Sequence, residues 1–240
     1  MTDFGQLPEY AEYIEKDPFR RGLHYPAVEH ELGDLTHGTI LDVGCGDGLF
    51  SRLLAGKRAF VTGYDKAPEK IAEARAHTGT QRLGVEYIVA TPHTFSSDRF
   101  FDMATSVMVL PFAASLIELT AFFSSARLHL GRRGRFVSVV LNPSFSGFGT
   151  DFFVRRINKL QGNCVQVDFL QRASGCVEMS VEQRQFTKPE YERAAIEGGM
   201  QPDAWKPLFA SQDAVKHLGA AFWGPCHQHQ PYALFVARTD

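Results

Sequence analysis

The sequence predicts an α/β fold, a doubly wound, mostly parallel seven-stranded sheet with an insertion after the fifth strand. Five short apolar segments before position 142 alternate with helical patterns, which is typical of parallel strands joined by crossover helices. The first of these segments runs into Gly44, Gly46 and Gly48. Glycines at every second position let the backbone turn tightly and approach a ligand closely. Beyond Asn142 the alternation stops, and Pro and Gly become frequent.

The parallel strands are expected at 39–43, 59–64, 85–90, 101–107 and 135–141, with helices at 48–57, 69–76 and 114–130 between them. Residues 1–35 are expected to form a helical cover, and residues 142–186 the insertion. Within the insertion a helix is predicted at 151–159, and hairpin strands at 164–170 and 176–186. Thr187 and Glu190 have capping-box spacing, so a helix should begin there. A strand at 204–209, a helix at 212–218 and a final strand at 232–237 complete a single domain spanning 1–240.

Composition narrows the class of protein. The 240-residue chain has a net charge of −2. This charge argues against a nucleic-acid partner, because proteins that bind nucleic acids usually present a basic face. The sequence shows no stretch long enough to cross a bilayer and no signal peptide, so no membrane partner is expected. The four cysteines are scattered without a CxxC pair, which favours a cytoplasmic location and no metal site. The oligomeric state stays open.

The residues around the glycines indicate a ligand that contains adenosine. Asp65 follows the second strand, where an acid can accept hydrogen bonds from the ribose hydroxyls. A nicotinamide dinucleotide would fit these features, but its fingerprint needs a glycine where this chain has Leu49. Asp42, directly before the turn, suits a ligand with an α-amino group better than a pyrophosphate.

The segment Leu41–Gly48, together with 63–65, resembles class I S-adenosylmethionine-dependent methyltransferases. The resemblance implies S-adenosyl-L-methionine as cofactor. It implies that the glycine turn supports the methionine end and that Asp65 binds the ribose. Where relatives carry an acid for the adenine amino group, this chain has Thr91 and Pro92. The expected cofactor residues are Tyr13, Arg20, Asp42, Gly44, Cys45, Gly46, Asp65, Lys66, Thr91, Pro92 and Ser106.

The C-terminal half points to a small-molecule substrate. Segments at 186–192, 198–200, 205–208 and 221–224 resemble bacterial small-molecule methyltransferases of secondary metabolism, and are similar to toxoflavin-type azapteridine N-methyltransferases. This implies transfer to a nitrogen or oxygen of a planar heterocyclic or aromatic molecule. Leu110, Phe145 and Trp223 are the expected substrate-binding residues.

A base is needed only if the acceptor must lose a proton, and histidine is the natural candidate at neutral pH. The candidates are His24 in the cover and His227 with His229 before the last strand. Placed on an extended segment, the latter two would share one face.

Three alternatives remain. A nucleic-acid base methyltransferase would need an N-P-P-Y-like motif after the fourth strand, where this chain has Leu110-Pro111-Phe112. A non-catalytic S-adenosylmethionine-binding module is supported by the missing acid at Thr91. An NAD-dependent oxidoreductase is the third.

Overall fold

The computed structural model describes residues 17–79, 83–171 and 173–240, so the expected cofactor residue Tyr13 lies outside the described residues. The strands are β1 Thr39–Val43, β2 Phe60–Asp65, β3 Val85–Val89, β4 Phe101–Val107, β5 Leu130–Leu141, β6 Arg155–Lys159, β7 Cys164–Leu170, β8 Val177–Arg184, β9 Gln201–Pro207 and β10 Tyr232–Arg238. The helices are α1 Tyr25–Leu32, α2 Leu49–Gly56, α3 Pro68–Thr78, α4 Leu116–His129, α5 Lys188–Glu197, α6 Gln212–Leu218 and α7 Ala220–His229.

Seven strands form one sheet in the order β3-β2-β1-β4-β5-β10-β9. The first five are parallel, and β10 runs antiparallel to both β5 and β9. The predicted α/β class with a mostly parallel seven-stranded sheet is confirmed. The strand order reverses between β1 and β4, so the carboxyl ends of these two strands flank the crevice where such sheets bind ligands.

The two larger of the three apolar clusters among the described residues cover the faces of the sheet. One contains Leu54, Val139 and Trp223, and the other contains Phe123 and Phe235. Strands buried on both faces explain why the sequence shows short, nearly continuous apolar runs rather than strict alternation. Within the described ranges no helix has the length and apolar character needed to span a membrane.

The small sheet β6-β7-β8 is antiparallel and lies within the segment expected to be an insertion. The predicted hairpin is confirmed, but the helix predicted at 151–159 is wrong, because Arg155–Lys159 pairs with β7 as a strand. Ile157 is fully buried in the core while Asn158 bonds Asp168 at 2.7 Å, so side chains alternate between two faces. Pairing with β7 therefore determines the strand conformation of this segment, against the helix that its sequence predicts.

The segment before the last strand is also different from the prediction. It forms helix α7, with Pro225 inside it and Gly219 at its start. His227 and His229 therefore lie two positions apart on a helix, where neighbouring positions of that spacing do not share a face. Tertiary packing forms this helix despite the proline, because Phe222, Trp223 and Cys226 are buried.

Candidate functional site

The glycine turn at the end of β1 has a left-handed backbone at Gly44, Gly46 and Gly48, with φ of 70°, 55° and 73°. A β-carbon on Gly44 would meet the Val109 side chain at 2.6 Å, and one on Gly48 would meet the Tyr87 hydroxyl. A β-carbon on Gly46 would meet nothing within 4 Å. The outer two glycines are therefore required by packing, whereas the middle one presents bare backbone to open space.

Asp65 lies at the end of β2 beside this turn. Its Oδ2 accepts a hydrogen bond from the Gly46 backbone N–H at 2.9 Å, and its Oδ1 accepts one from Ala67 at 3.0 Å. Burial raises the pKa of this carboxyl, and the two backbone donors oppose that rise. A carboxylate has room for about four hydrogen bonds, so Asp65 keeps acceptor capacity for a ligand.

Asp42 does not line the cavity described below, contrary to the expectation that it meets a ligand amino group. Its Oδ2 accepts from the Ser51 hydroxyl at 2.5 Å and its Oδ1 from Thr105 at 3.3 Å. Burial raises the pKa of Asp42 to about 6. This side chain therefore holds α2 and β4 to the end of β1, beneath the turn rather than in front of it.

A cavity of about 810 Å³ opens at the carboxyl ends of β1, β2, β3 and β4. Seven of the expected cofactor residues line it, namely Arg20, Gly44, Gly46, Asp65, Lys66, Thr91 and Pro92. The tertiary structure thus brings together residues separated by up to 72 positions in the chain (92 − 20).

Arg20 contributes to the cavity wall from the N-terminal segment that precedes α1. It begins a π-helical turn, Arg20–His24, that leads directly into α1. Such turns are rare and occur frequently at functional sites. The Arg20 guanidinium brings a positive charge from the N-terminal cover to the cavity wall. An anionic group of a ligand could pair with it.

Two further expected cofactor residues are buried under the wall. The Cys45 side chain lies 2.8 Å from where a Gly63 β-carbon would be, and burial raises the pKa of its thiol. Ser106 is fully buried within β4. Neither lines the cavity, because alternate side chains of a strand and its turn point to opposite sides.

The expected substrate residues are part of the core. Leu110 and Trp223 are fully buried and Phe145 is 3% exposed. The Trp223 indole packs against Gly22, and its Nε1 donates to the Ala214 carbonyl at 3.1 Å. The expectation that these side chains contact substrate is therefore not supported, because none of the three lines the cavity.

The three candidate bases are also outside the cavity wall. His24 is buried against Phe19 and Tyr232, and this burial lowers the pKa of its imidazole. The Nε2 of His227 accepts from the Ala210 backbone N–H at 3.0 Å. The His229 ring packs edge-on against Phe152. Each of the three imidazoles therefore packs against or bonds to neighbouring protein groups and does not line the cavity.

The structure adds lining residues to the expected site residues. Met108 has a left-handed backbone (φ 58°) just after β4, an uncommon conformation that marks a constrained position. Five more come from the 3₁₀ turn Leu110–Phe112 and the start of α4: Phe112, Ser115, Ile117, Glu118 and Phe122. Their signal was available, because a helix that follows a parallel strand begins at the ligand-binding edge of the sheet.

Within the described residues, no group of three or more His, Cys, Asp and Glu side chains is arranged to hold a metal ion. The cavity wall combines the glycine turn, the carboxylate of Asp65, an arginine from the N-terminal cover and the segment after β4, which carries both apolar side chains and Glu118.

Comparison with known proteins agrees with this geometry. Residues 40–134 match the family model of the methyltransferase domain. This segment contains the glycine turn, Asp65 and most of the cavity wall. A ubiquinone biosynthesis O-methyltransferase of Paramagnetospirillum magneticum is 35% identical over 104 residues, which are 43% of this chain and 41% of that relative. The chain thus spans less than half the length of this curated relative.

Solved structures resemble the whole chain in fold. An amino pentose methyltransferase of Micromonospora echinaspora is 21% identical, covers 100% of both chains and has a TM-score of 0.65. A didemethyltoxoflavin methyltransferase of Burkholderia thailandensis is 16% identical, covers 95% of this chain and 81% of its own, and has a TM-score of 0.59. At these identities the likeness establishes the fold alone.

Proposed function

We propose that this chain is an S-adenosylmethionine-dependent methyltransferase that methylates a small molecule. The observation that carries the proposal is the open face of Gly46 beside Asp65, both on the wall of one large cavity. These residues fall inside the segment that matches the methyltransferase domain. The match supports the expected activity, and relatives of both O- and N-methyl type leave the accepting atom open.

The residues present fit this cofactor. The bare backbone of Gly46 allows close approach of the methionine portion, and Arg20 would pair with its carboxylate. Asp65 would accept hydrogen bonds from the ribose hydroxyls, because its fixed carboxylate retains free lone pairs. S-adenosylmethionine supplies a methyl group that is already electrophilic.

The chain's own contribution is then to align the acceptor and exclude water. Met108, Val109 and Phe112 form an apolar part of the wall after β4. Pockets for drug-sized ligands measure about 300–1,000 Å³, and this cavity of about 810 Å³ lies in the upper part of that range. We propose a small planar acceptor that attacks through nitrogen or oxygen. None of the three candidate histidines lines the cavity, and His93, which does, is exposed at its rim; the proposal is therefore transfer by proximity.

Calorimetric titration with S-adenosylhomocysteine and, separately, with NAD tests the cofactor. We expect S-adenosylhomocysteine to bind and NAD not to compete with it. Asp65→Ala should weaken binding by at least about tenfold, since hydrogen bonds to a charged group contribute about 1.5–3 kcal/mol. Asp203→Ala is the matched control, because that carboxylate is exposed and only faces Arg238 at 3.6 Å. Absence of binding heat in the unaltered protein would refute the proposal, and preferential binding of NAD would favour an oxidoreductase.

A further inference from the structure

We propose that Glu118 of α4 recognises the adenine amino group of the cofactor and thereby selects adenosine over inosine. This inference rests on the proposed function. It assigns a specificity-determining role to a residue from an element that the sequence interpretation did not connect with the site.

The segment after β3 supplies no carboxylate to this part of the cavity. The backbone N–H of Thr91 donates to the Thr94 hydroxyl at 2.9 Å, and the two hydroxyls lie 3.1 Å apart. Pro92 has no N–H to donate. His93 is exposed at the rim. The two threonine hydroxyls therefore bond one another, and the segment offers no charged acceptor to a ligand amino group.

Glu118 lies on the same cavity wall. Glu118 and Phe122 are four positions apart, so they share one face of α4, and the N-cap Ser115 lines the cavity with them. Phe122 belongs to the same buried cluster as Tyr64 and Ala90, the lining residues at the ends of β2 and β3. The face of α4 that carries Glu118 therefore packs on the same core as the ends of β2 and β3.

The Glu118 carboxylate is held in place by the start of its own helix. Its Oε2 accepts from the Ala114 backbone N–H at 2.6 Å, while the Ser115 hydroxyl accepts from the Glu118 N–H at 3.2 Å. Among the described residues, Oε1 has no hydrogen-bond partner. An ionised carboxylate only accepts hydrogen bonds, so this oxygen favours a ligand that presents a donor.

The other acids on the wall lie in different parts of the cavity. Asp65 accepts from two backbone N–H groups, and Asp47 accepts from the Leu49 N–H at 3.2 Å within the glycine turn. Glu69 is in the first turn of α3 and is exposed. Glu118 is half-buried, and it lies on the face of α4 whose Phe122 shares a buried cluster with Ala90.

The test compares the affinities of S-adenosylhomocysteine and S-inosylhomocysteine. The base of the first carries an exocyclic amino group where the base of the second carries an exocyclic oxygen. The inosine oxygen would face carboxylate lone pairs, so the unaltered protein should prefer the adenosine compound by at least about tenfold, as sites built around a hydrogen bond reject the analogue that lacks it. Glu118→Gln keeps an oxygen for the Ala114 N–H and gains an amide donor for the inosine oxygen. It should reduce the preference at least about fivefold.

The ratio of the two affinities separates recognition from general damage, because partial misfolding weakens both ligands alike. Glu178→Gln, an exposed acid on the small sheet, should leave the ratio unchanged. An unchanged ratio in Glu118→Gln, or a ratio that collapses in His93→Ala instead, would overturn the inference while leaving the proposed function intact. If S-adenosylhomocysteine fails to bind the unaltered protein, the proposed function itself fails.

Discussion

Replacing Gly46 by alanine separates the role of this residue in ligand binding from its role in folding. An added β-carbon would meet nothing within 4 Å, and the backbone N–H that donates to Asp65 stays in place. The new methyl group would, however, stand on the cavity wall. Gly162 is the matched control, because its φ of 63° is close to the 55° of Gly46 and its β-carbon would also meet nothing within 4 Å. It lies outside the cavity, in the turn between β6 and β7.

The two variants should lose similar stability. Alanine in a left-handed conformation costs about 1–2 kcal/mol, and each kcal/mol shifts the Tm of a domain of this size by about 2–4 °C. Affinity for S-adenosylhomocysteine should separate them. Gly46→Ala should bind at least about tenfold more weakly, equivalent to about 1.4 kcal/mol, whereas Gly162→Ala should bind like the unaltered protein.

Thermal unfolding and calorimetric titration of the three proteins measure both quantities. Unchanged affinity in Gly46→Ala would refute the placement of the cofactor against this turn. A loss of stability much greater in Gly46→Ala than in Gly162→Ala would show that the space beside Gly46 is not open. A third variant, Gly44→Ala, should lose far more stability than either, because its β-carbon would lie 2.6 Å from Val109.

Two further predictions concern buried charge. Because burial raises the pKa of Asp42 to about 6, the folded protein keeps a proton that the unfolded chain loses above about pH 4. The contribution of this carboxyl to the free energy of unfolding should therefore fall as pH rises from about 4 to 6, by on the order of 2–3 kcal/mol. Asp42→Asn should flatten that part of the pH profile of urea unfolding, and an unchanged slope would contradict the assignment. Arg155 donates to Asp17 in a buried ion pair that ties the small sheet to the N-terminal segment. Arg155→Met should cost about 3–5 kcal/mol in urea unfolding because it leaves Asp17 buried without a cation. Adding Asp17→Asn should restore part of the loss, and a single variant as stable as the unaltered protein would contradict this reasoning.

The local patterns of the sequence were sufficient for the parallel half of the fold. The run of apolar residues before Gly44 is typical of a buried strand, and glycines at 44, 46 and 48 are typical of a tight turn with positive φ, which the structure has. The capping box at Thr187 and Glu190 is present as predicted. These features depend on neighbours close in the chain, so periodicity and turn chemistry determine them.

The prediction failed where distant partners choose the conformation. Residues 155–159 form a strand because β7 pairs with them. Residues 220–229 form a helix because this conformation buries Trp223 against Gly22. His227 and His229 were expected on one face of an extended segment. On a helix, residues two positions apart do not share a face.

The sequence by itself determined the glycine turn, the acid at position 65 and the sheet edge at which they meet, because each is dictated by backbone conformation or strand alternation. Only the tertiary structure decided which side chains face the cavity. It buried Asp42 under the turn with Ser51 and Thr105, and it placed Glu118 on the wall through the start of α4. The physical reason is that the direction of a side chain depends on packing between elements that are far apart in the chain.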